Sequence, residues 1–173
     1  MIPALESAAA SLRTTNMLMP LVLGDLTDEL ARRRTRDGEG PSIAWQVGHI
    51  LDFRCQLITL LGRPKESPFS VGFATSSATD GADYPTVAEF LQHWKRIEAD
   101  LDAALEDAGE ATIRRTVEGG GFHVGRPTLD AVAFCVFHEA YHMGALGAIR
   151  KTLGLPGPAE LVMAQAANQR RPA

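Results

Sequence analysis

The spacing of apolar residues is the feature that most constrains how this chain folds. No stretch of its 173 residues shows the sustained alternation of apolar and polar positions that half-buried β-strands require. Apolar residues instead recur at spacings of three and four, the period of a helix buried along one face. They do so over four long segments, at about 3–34, 42–62, 87–108 and 129–153. The pattern predicts an all-α fold, in which Pro20 and Gly24 divide the first segment into a long helix and a short one.

Local chemistry marks two helix starts and one long connection. Pro41 and Ser42 offer a start for the second segment. The run TVAE at 86–89 is a capping box that opens the third, because hydroxyl and carboxylate satisfy each other's free backbone donors. The connection at 63–85 is longer than most loops, so we expect a crossover or a binding loop. The glycines at 119–121, flanked by 111–117 and 122–124, are compatible with a small hairpin.

Composition fits one globular domain of ordinary size. Apolar residues make up 45% of the chain and charged residues 22%, and a chain of this length needs no disulfide or structural metal to hold a core. We place the domain at 1–158 and treat 159–173 as a C-terminal extension with a short helix and a frayed tail. The net charge of −4, with 17 basic residues spread along the chain, lacks the footprint of a nucleic-acid binder. We therefore expect no nucleic-acid partner.

The cysteines and the first residues of the chain indicate the cellular compartment of the protein. Cys55 and Cys135 are far apart in the sequence and show no CxxC spacing, which fits free thiols in a reducing compartment. The first residues lack a basic stretch followed by an apolar one. The longest apolar run, at 17–24, is far shorter than the ~20 residues of a membrane span. We expect a cytoplasmic protein without an export signal or a membrane helix.

Two histidines of the fourth segment are candidate metal ligands. The i,i+4 spacing of His138 and His142 places both imidazoles on one helix face, about 5–6 Å apart at Cβ, which suits two ligands of one ion. The same face carries Ala131, Phe134, Cys135, Tyr141, Ala145, Leu146 and Ile149. Buried imidazoles need partners, and a metal ion satisfies both at once. The alternative is a pair of core histidines bonded to backbone or carboxylate groups.

His49 in the second segment is the third candidate ligand. The apolar stripe of the helix is centred to one side of His49. Its own side carries Trp45, Gln46, Asp52, Phe53, Gln56 and Leu60. One interpretation is a partly exposed histidine. The other is a pocket wall in which His49 is a ligand and Asp52 accepts its second ring N–H. Spacing alone leaves both open.

The fourth segment also spells HEAYH at 138–142, the H-E-x-x-H signature of zinc peptidases. The extended signature needs Gly and His where Ala145 and Ala148 stand, and Glu160 as a third ligand lies beyond a Pro-Gly-Pro break. Glu139 points about 100° away from His138 around the helix, so we expect it at the surface. A peptidase is therefore disfavoured.

Three other side chains near these motifs have an ordinary interpretation. Cys135 precedes His138 by three residues, so a fourth, thiolate ligand is one possibility. We favour a core cysteine, because buried cysteine is common. His93 and His123 have no partners at ligand spacing, and we expect both at the surface.

Two motifs resemble those of DinB-like (DinB/YfiT) proteins. The run WQVGHI at 45–50 resembles the W-x-x-G-H-[IL] start of their second helix. The run HEAYHMG at 138–144, followed by LGLP at 153–156, resembles their fourth helix and its exit. The resemblance implies a four-helix bundle with a long crossover connection between helices 2 and 3. It also implies a three-histidine site for a divalent metal ion, zinc or nickel, carried here onto His49, His138 and His142.

The resemblance implies a class of function rather than one reaction. Family members include thiol-dependent transferases and a thiol-dependent isomerase, which use low-molecular-weight thiols such as bacillithiol or mycothiol. This chain reads HMGA at 142–145 where many relatives read H-x-G-Q, so its pocket is more apolar. Our leading hypothesis is a metal-dependent enzyme acting on a small molecule, as a thiol S-transferase or a hydrolase, with Trp45, Phe53 and Tyr141 shaping the pocket. The alternatives are a non-catalytic metal- or small-ligand-binding protein and a dimeric structural domain without metal.

The face of the fourth segment opposite the histidines carries small residues. They are Ala133, Val136, Ala140, Gly144 and Gly147. Small residues let another helix approach closely, so something should cover this face. A bundle neighbour is the first expectation. A homodimer, which is frequent in the family, is the second.

Overall fold

Helices form the regular structure of residues 1–69, 73, 83–119 and 123–170, the part of the chain that the computed structural model describes. The helices in these ranges are α1 (Pro3–Leu23), α2 (Asp28–Arg32), α3 (Ile43–Leu60), α4 (Val87–Asp107), α5 (Glu110–Arg114), α6 (Thr128–Thr152) and α7 (Pro158–Gln169), with a 3-10 turn at Arg36–Gly38. These residues contain no β-strand, so the all-α prediction is confirmed.

The helix starts follow the predicted chemistry. Ser42 caps α3, because its hydroxyl accepts a hydrogen bond from the Trp45 N–H at 3.1 Å. At α4 both halves of the capping box are present. Thr86 Oγ1 accepts from the Glu89 N–H at 3.2 Å, and Glu89 Oε2 accepts from the Thr86 N–H at 2.7 Å. The first segment divides into α1 and α2 as expected, with Pro20 in the last turn of α1.

The four long helices α1, α3, α4 and α6 pack around one core. Each contacts two of the others, in the closed order α1, α4, α3, α6 and back to α1. Helix α3 is the most enclosed, since every residue from 43 to 52 is buried. His49 is consequently buried, with 6% of its surface exposed. The interpretation of His49 as a partly exposed histidine is therefore wrong, because the helix has neighbours on more than its apolar stripe.

The connection between α3 and α4 runs back along α4. Near its start, Arg63 Nη1 pairs with Asp107 Oδ2 in the last turn of α4, at 2.8 Å. Farther along, the Phe69 ring lies 5.8 Å from the ring of Phe90, near the beginning of α4. The connection thus begins beside the end of α4 and returns to its start, so α3 and α4 run parallel. The predicted crossover is confirmed; residues 70–72 and 74–82 within it lie outside the described residues.

The small hairpin with which the sequence around 119–121 is compatible is present only in part. Its first arm is helical at α5, where Glu110 and Arg114 form an i,i+4 ion pair at 3.1 Å. Beyond α5 the chain does pair with the stretch that leads into α6. The Val117 N–H donates to the Arg126 carbonyl at 2.9 Å, and the Gly125 N–H donates to the Val117 carbonyl at 3.0 Å. Residues 120–122, which include two of the three glycines, lie outside the described part of the chain.

Helix α6 is the one described helix that is long and apolar enough to cross a membrane, judged by length and composition alone. It packs against α1, α3 and α5. It also carries two buried charged side chains, Glu139 at 4% exposure and Arg150 at 0%. Arg150 Nη2 pairs with Asp25 Oδ2 at 2.7 Å. Neighbours on several sides and two buried charged side chains are typical of a core helix.

The outward face of α6 is largely uncovered by the described residues. Ala133, Ala140 and Gly144 are exposed, so the bundle neighbour expected from the sequence does not cover them. Near the helix end, Pro158 Cδ lies 3.1 Å from the position that a Cβ on Gly147 would take. Pro158 begins α7, which forms the helix expected in the extension and contacts α1.

Candidate metal centre

Helices α3 and α6 bring three histidines together, of which His49 and His142 are buried and His138 is half-buried. His138 Nε2 lies 3.1 Å from His49 Nε2 and 3.0 Å from His142 Nε2. One ligand nitrogen from each residue lies within 4.8 Å of the other two. Two nitrogens bound tetrahedrally to one zinc ion at about 2.0–2.1 Å would be ~3.3 Å apart. The cluster therefore has the dimensions of a metal centre.

Two of the three imidazoles are fixed in orientation by oxygen atoms. His49 Nδ1 lies 2.6 Å from the Phe73 carbonyl oxygen, and His142 Nδ1 contacts Gln46 Oε1. Both oxygens are acceptors, so each Nδ1 must carry the proton and donate it. In a neutral imidazole this leaves Nε2 with a free lone pair. Two Nε2 lone pairs are thus aimed at the Nε2 of His138.

Burial keeps all three imidazoles neutral. It lowers the pKa of His49, and it lowers the pKa of His138 to about 4 and of His142 to about 3. Within the cluster, the charge that a neighbouring histidine would carry lowers the pKa values of His138 and His142 further. Neutral imidazole is the form that binds a metal ion, so at neutral pH no proton has to leave before binding.

Gly48 lets the crossover connection reach His49. A Cβ at position 48 would lie 2.6 Å from ring carbons of Phe73, a distance at which something must shift. Without that Cβ, the Phe73 ring packs directly on α3 and its carbonyl reaches the His49 ring. The glycine of the WQVGHI run is therefore explained by packing against the residue that orients the neighbouring histidine.

Asp52 orients His49 through a peptide group rather than by a direct hydrogen bond. Its Oδ2 accepts a hydrogen bond from the Phe73 N–H at 3.0 Å, and its Oδ1 accepts one from the Ser67 hydroxyl. The interpretation of His49 as a ligand is open to a direct bond from its second ring N–H to Asp52, and the structure does not have that bond. The Phe73 carbonyl occupies that place, and Asp52 holds the Phe73 peptide in position.

Aromatic rings line the cluster. Trp45 stacks on His49, with ring centroids 4.8 Å apart, and Phe53 stacks on His138 at 4.0 Å. Phe134, which the sequence placed on the histidine face, lies 5.5 Å from His138 on a nearly parallel plane. Tyr141 was expected to shape the pocket, but 65% of its surface is exposed. Its ring meets the ring of His142 edge-on, with centroids 5.1 Å apart, so Tyr141 borders the cluster from an exposed position.

The prediction that Glu139 lies at the surface is wrong. Only 4% of its surface is exposed, and it forms a bidentate ion pair with Arg54 of α3, at 2.8 Å from Nε and 2.6 Å from Nη2. Thr15 of α1 also donates to this carboxylate, and the guanidinium lies 3.9 Å above the Trp94 ring. The 100° step from His138 points toward α1 and α3 rather than to solvent. Arg54 is the only lysine or arginine of the second segment, but nothing in the sequence assigns it to Glu139.

Three other residues near the motifs stand outside the cluster. Cys135 is buried but is not among the grouped ligand atoms, in agreement with the favoured interpretation of a core cysteine. His93 and His123 were expected at the surface, yet both are half-buried. His93 packs on Phe69 at 5.1 Å and His123 on Phe134 at 4.6 Å, because an imidazole offers an apolar face to an aromatic ring.

Comparison with known proteins gives one family match. The model of the DinB superfamily matches residues 11–146, a range that includes all three clustered histidines. A search of curated proteins gives no match.

Proposed function

This chain belongs to the DinB superfamily, and from that membership and its three converging imidazoles we propose that it binds a divalent metal ion through His49, His138 and His142. The ion is zinc or nickel. We further propose that the protein is an enzyme acting on a small molecule, with transfer of a low-molecular-weight thiol as its class of reaction.

The orientation of the imidazoles is the observation that carries this proposal. Oxygen atoms of Phe73 and Gln46 each take an N–H from one histidine, which leaves two lone pairs facing the third Nε2. Lone pairs that converge in a buried site repel one another unless a proton or a cation lies between them. Burial disfavours the charged imidazolium, and a neutral His138 with its proton on Nε2 can donate to only one of the two lone pairs. A divalent cation, which all three lone pairs can bind at once, therefore fits the site best.

Three protein ligands leave a coordination position for water or substrate, which is typical of catalytic rather than structural zinc. A bound divalent ion would lower the pKa of a thiol or a water molecule at that position and so provide a nucleophile at neutral pH. The part of the protein itself is to hold the imidazoles, exclude bulk water and orient the reactant against the rings of Trp45, Phe53 and Phe134. These apolar rings favour an apolar electrophile as substrate.

The carboxylates near the cluster favour a thiol over water as nucleophile. Asp52 holds the Phe73 peptide and Glu139 holds Arg54, so neither of these two is free to act as a general base. Attack by water ordinarily draws on a base, whereas a thiol needs only a lowered pKa to react. Low-molecular-weight thiols belong to the reducing cytoplasm, which is where we propose that the protein works.

A thiol assay tests the proposed activity. Metal-loaded protein is incubated with an activated aryl halide and a panel of low-molecular-weight thiols, and thioether formation is followed. We expect a rate above that of the metal-free protein with at least one thiol, and loss of that rate in His138→Ala. If no thiol gives a rate above the metal-free control, the transferase assignment is wrong.

A metal-binding protein without turnover is the second candidate. The engagement of both nearby carboxylates also favours it, because a binding protein needs no base. Stoichiometric metal binding together with inactivity toward thiols and water would support this candidate over the enzyme.

A further inference from the structure

One ring nitrogen of the histidine cluster has no hydrogen-bond partner in the described part of the chain. Nδ1 of His49 and Nδ1 of His142 each donate to an oxygen, but His138 Nδ1 is buried without a hydrogen-bond partner among the described residues. Arg54 Nη1 is in the same state, although the Nε and Nη2 atoms of this guanidinium bind Glu139. Two buried polar nitrogens near the cluster are therefore unsatisfied by the residues that the structure describes.

The side chains of both nitrogens line one small cavity between α3 and α6. Its volume is about 10 Å³, and Cys135 and Glu139 form other parts of its wall, together with apolar side chains of α3. A space of this size accommodates about one water molecule.

With a metal ion on the histidines, both unpaired atoms are hydrogen-bond donors. A guanidinium nitrogen always carries hydrogen atoms. His138 Nδ1 carries the proton when its Nε2 lone pair faces a metal ion, as the proposed function requires. Burying a donor without an acceptor is unfavourable, and a metal-binding histidine ordinarily donates its second N–H to an acceptor. A molecule bound in this cavity would therefore have to accept hydrogen bonds from both donors.

We propose that this cavity binds one water molecule whose oxygen accepts hydrogen bonds from His138 Nδ1 and Arg54 Nη1. The water links the third histidine to the Arg54–Glu139 ion pair and holds the imidazole in the tautomer that binds metal, which makes Arg54 a positioning residue. A water fits better than an anion, because Glu139 already balances the charge of Arg54. The water's own hydrogens face the Glu139 carboxylate, which also lines the cavity. The tautomer rests on the proposed metal site, whereas the water itself does not require the ion.

A crystal structure of the zinc-loaded protein, at a resolution that shows ordered water, tests the proposal directly. We expect one water within hydrogen-bond distance of both His138 Nδ1 and Arg54 Nη1. A dry cavity, or a water that reaches only one of the two nitrogens, would overturn the proposal.

A pair of variants tests whether the water matters for metal binding. Cys135→Val fills the cavity, and Cys135→Ala is the matched control that leaves it open. In competition with a chelator, we expect the valine variant to bind zinc about ten- to a hundredfold more weakly and the alanine variant to match the wild type. Equal zinc affinity of the valine variant and the wild type would refute the proposed role of the water in metal binding. A loss in the alanine variant as well would show that the cysteine itself is the ligand, and would also refute it.

Failure of the metal site is distinguishable from failure of this inference. If the wild-type protein binds no zinc, the proposed function fails and the crystal structure of the metal-free protein decides. A water bridging the two nitrogens there supports the inference, and a dry cavity overturns it.

Discussion

Among single residues, Cys135 shows how burial governs chemistry beside the histidine cluster. It precedes His138 by about one helical turn, yet burial, and to a lesser degree the Glu139 charge, raises the pKa of its thiol to about 12. Burial likewise raises the pKa of the Cys55 thiol to about 11. The thiolate is the form that reacts and binds metals, so both cysteines remain neutral core residues.

We therefore expect neither thiol to react with Ellman's reagent in the native protein at about pH 8, because that pH lies well below both pKa values. After unfolding in denaturant, both free cysteines should react. Absorbance of the released thiolate measures the count in each state. Rapid reaction of one cysteine in the native protein would contradict the assignment of both as buried, unreactive thiols.

The sequence predicts the identity of the site residues better than their partners. The i,i+4 spacing of His138 and His142 is sufficient to place two imidazoles together. The partner of Glu139 could not be predicted, because the direction of one side chain says nothing of which helix lies opposite. Similarly, Asp52 lies near His49 as expected. The peptide group between them belongs to Phe73, which is distant in the sequence, so its position could not be predicted.

At the scale of elements, the contact between α3 and the crossover connection sets the orientation of His49. Gly48→Ala would place a methyl group 2.6 Å from the Phe73 ring. Overpacking of this kind costs about 1–3 kcal/mol, so we expect a lower free energy of unfolding. The shift of Phe73 should also loosen the His49 ring and weaken metal binding. Denaturant unfolding and zinc titration measure the two effects.

Gly144→Ala is the matched control for this prediction. Gly144 also lies within a helix, but a Cβ there would meet nothing within 4 Å. Removing a helical glycine at a position that is open within one chain should raise the free energy of unfolding by up to about 1 kcal/mol, measured in dilute protein where the dimer contact proposed below does not contribute. If Gly48→Ala is equally stabilising, the close contact with Phe73 does not exist in solution.

The helix starts were predictable because capping chemistry is local. The side chains of Ser42, Thr86 and Glu89 lie within three residues of the groups they satisfy. Helix α5 was not predicted, because a segment of five residues gives too little periodicity to distinguish a helix from a strand. Its identity depends on packing against α6.

For the whole molecule, the outward face of α6 is the main feature that the packing of the long helices leaves unexplained. Ala133, Ala140 and Gly144 are exposed there, and the neighbouring Phe137 and Tyr141 are 69% and 65% exposed. Small residues flanked by large exposed aromatic rings are unusual on a solvated helix. We propose that a second copy of this chain covers the face in a symmetric dimer. Ala140→Glu should then give a folded monomer.

Light scattering measures the oligomeric state of the wild type and the variant, and circular dichroism shows whether the variant is folded. Ala99→Glu is the control, because it adds the same charge to an exposed alanine on α4, away from this face. A wild-type protein that is monomeric, or an Ala140→Glu variant that remains dimeric, would contradict the proposed interface.

The order in which the long helices contact one another could not be derived from the sequence. The crossover was predictable from the length of the connection and from the family resemblance. Helix α6, however, carries apolar or small residues on both its inner and its outer face. A pattern of this kind cannot say which face meets α3 and which meets solvent or another chain.

The most direct test of the metal centre is the metal content of protein purified without a metal-binding tag and then incubated with zinc, nickel or manganese. We predict about one ion per chain in the wild type and none in His138→Ala or His142→Ala, with strongly weakened binding in His49→Ala. All four proteins should keep their helical circular dichroism, since a chain of this size holds its core without the ion. A wild-type protein that stays free of metal after incubation with each ion, or a His49→Ala variant that binds as tightly as the wild type, would contradict the three-histidine site.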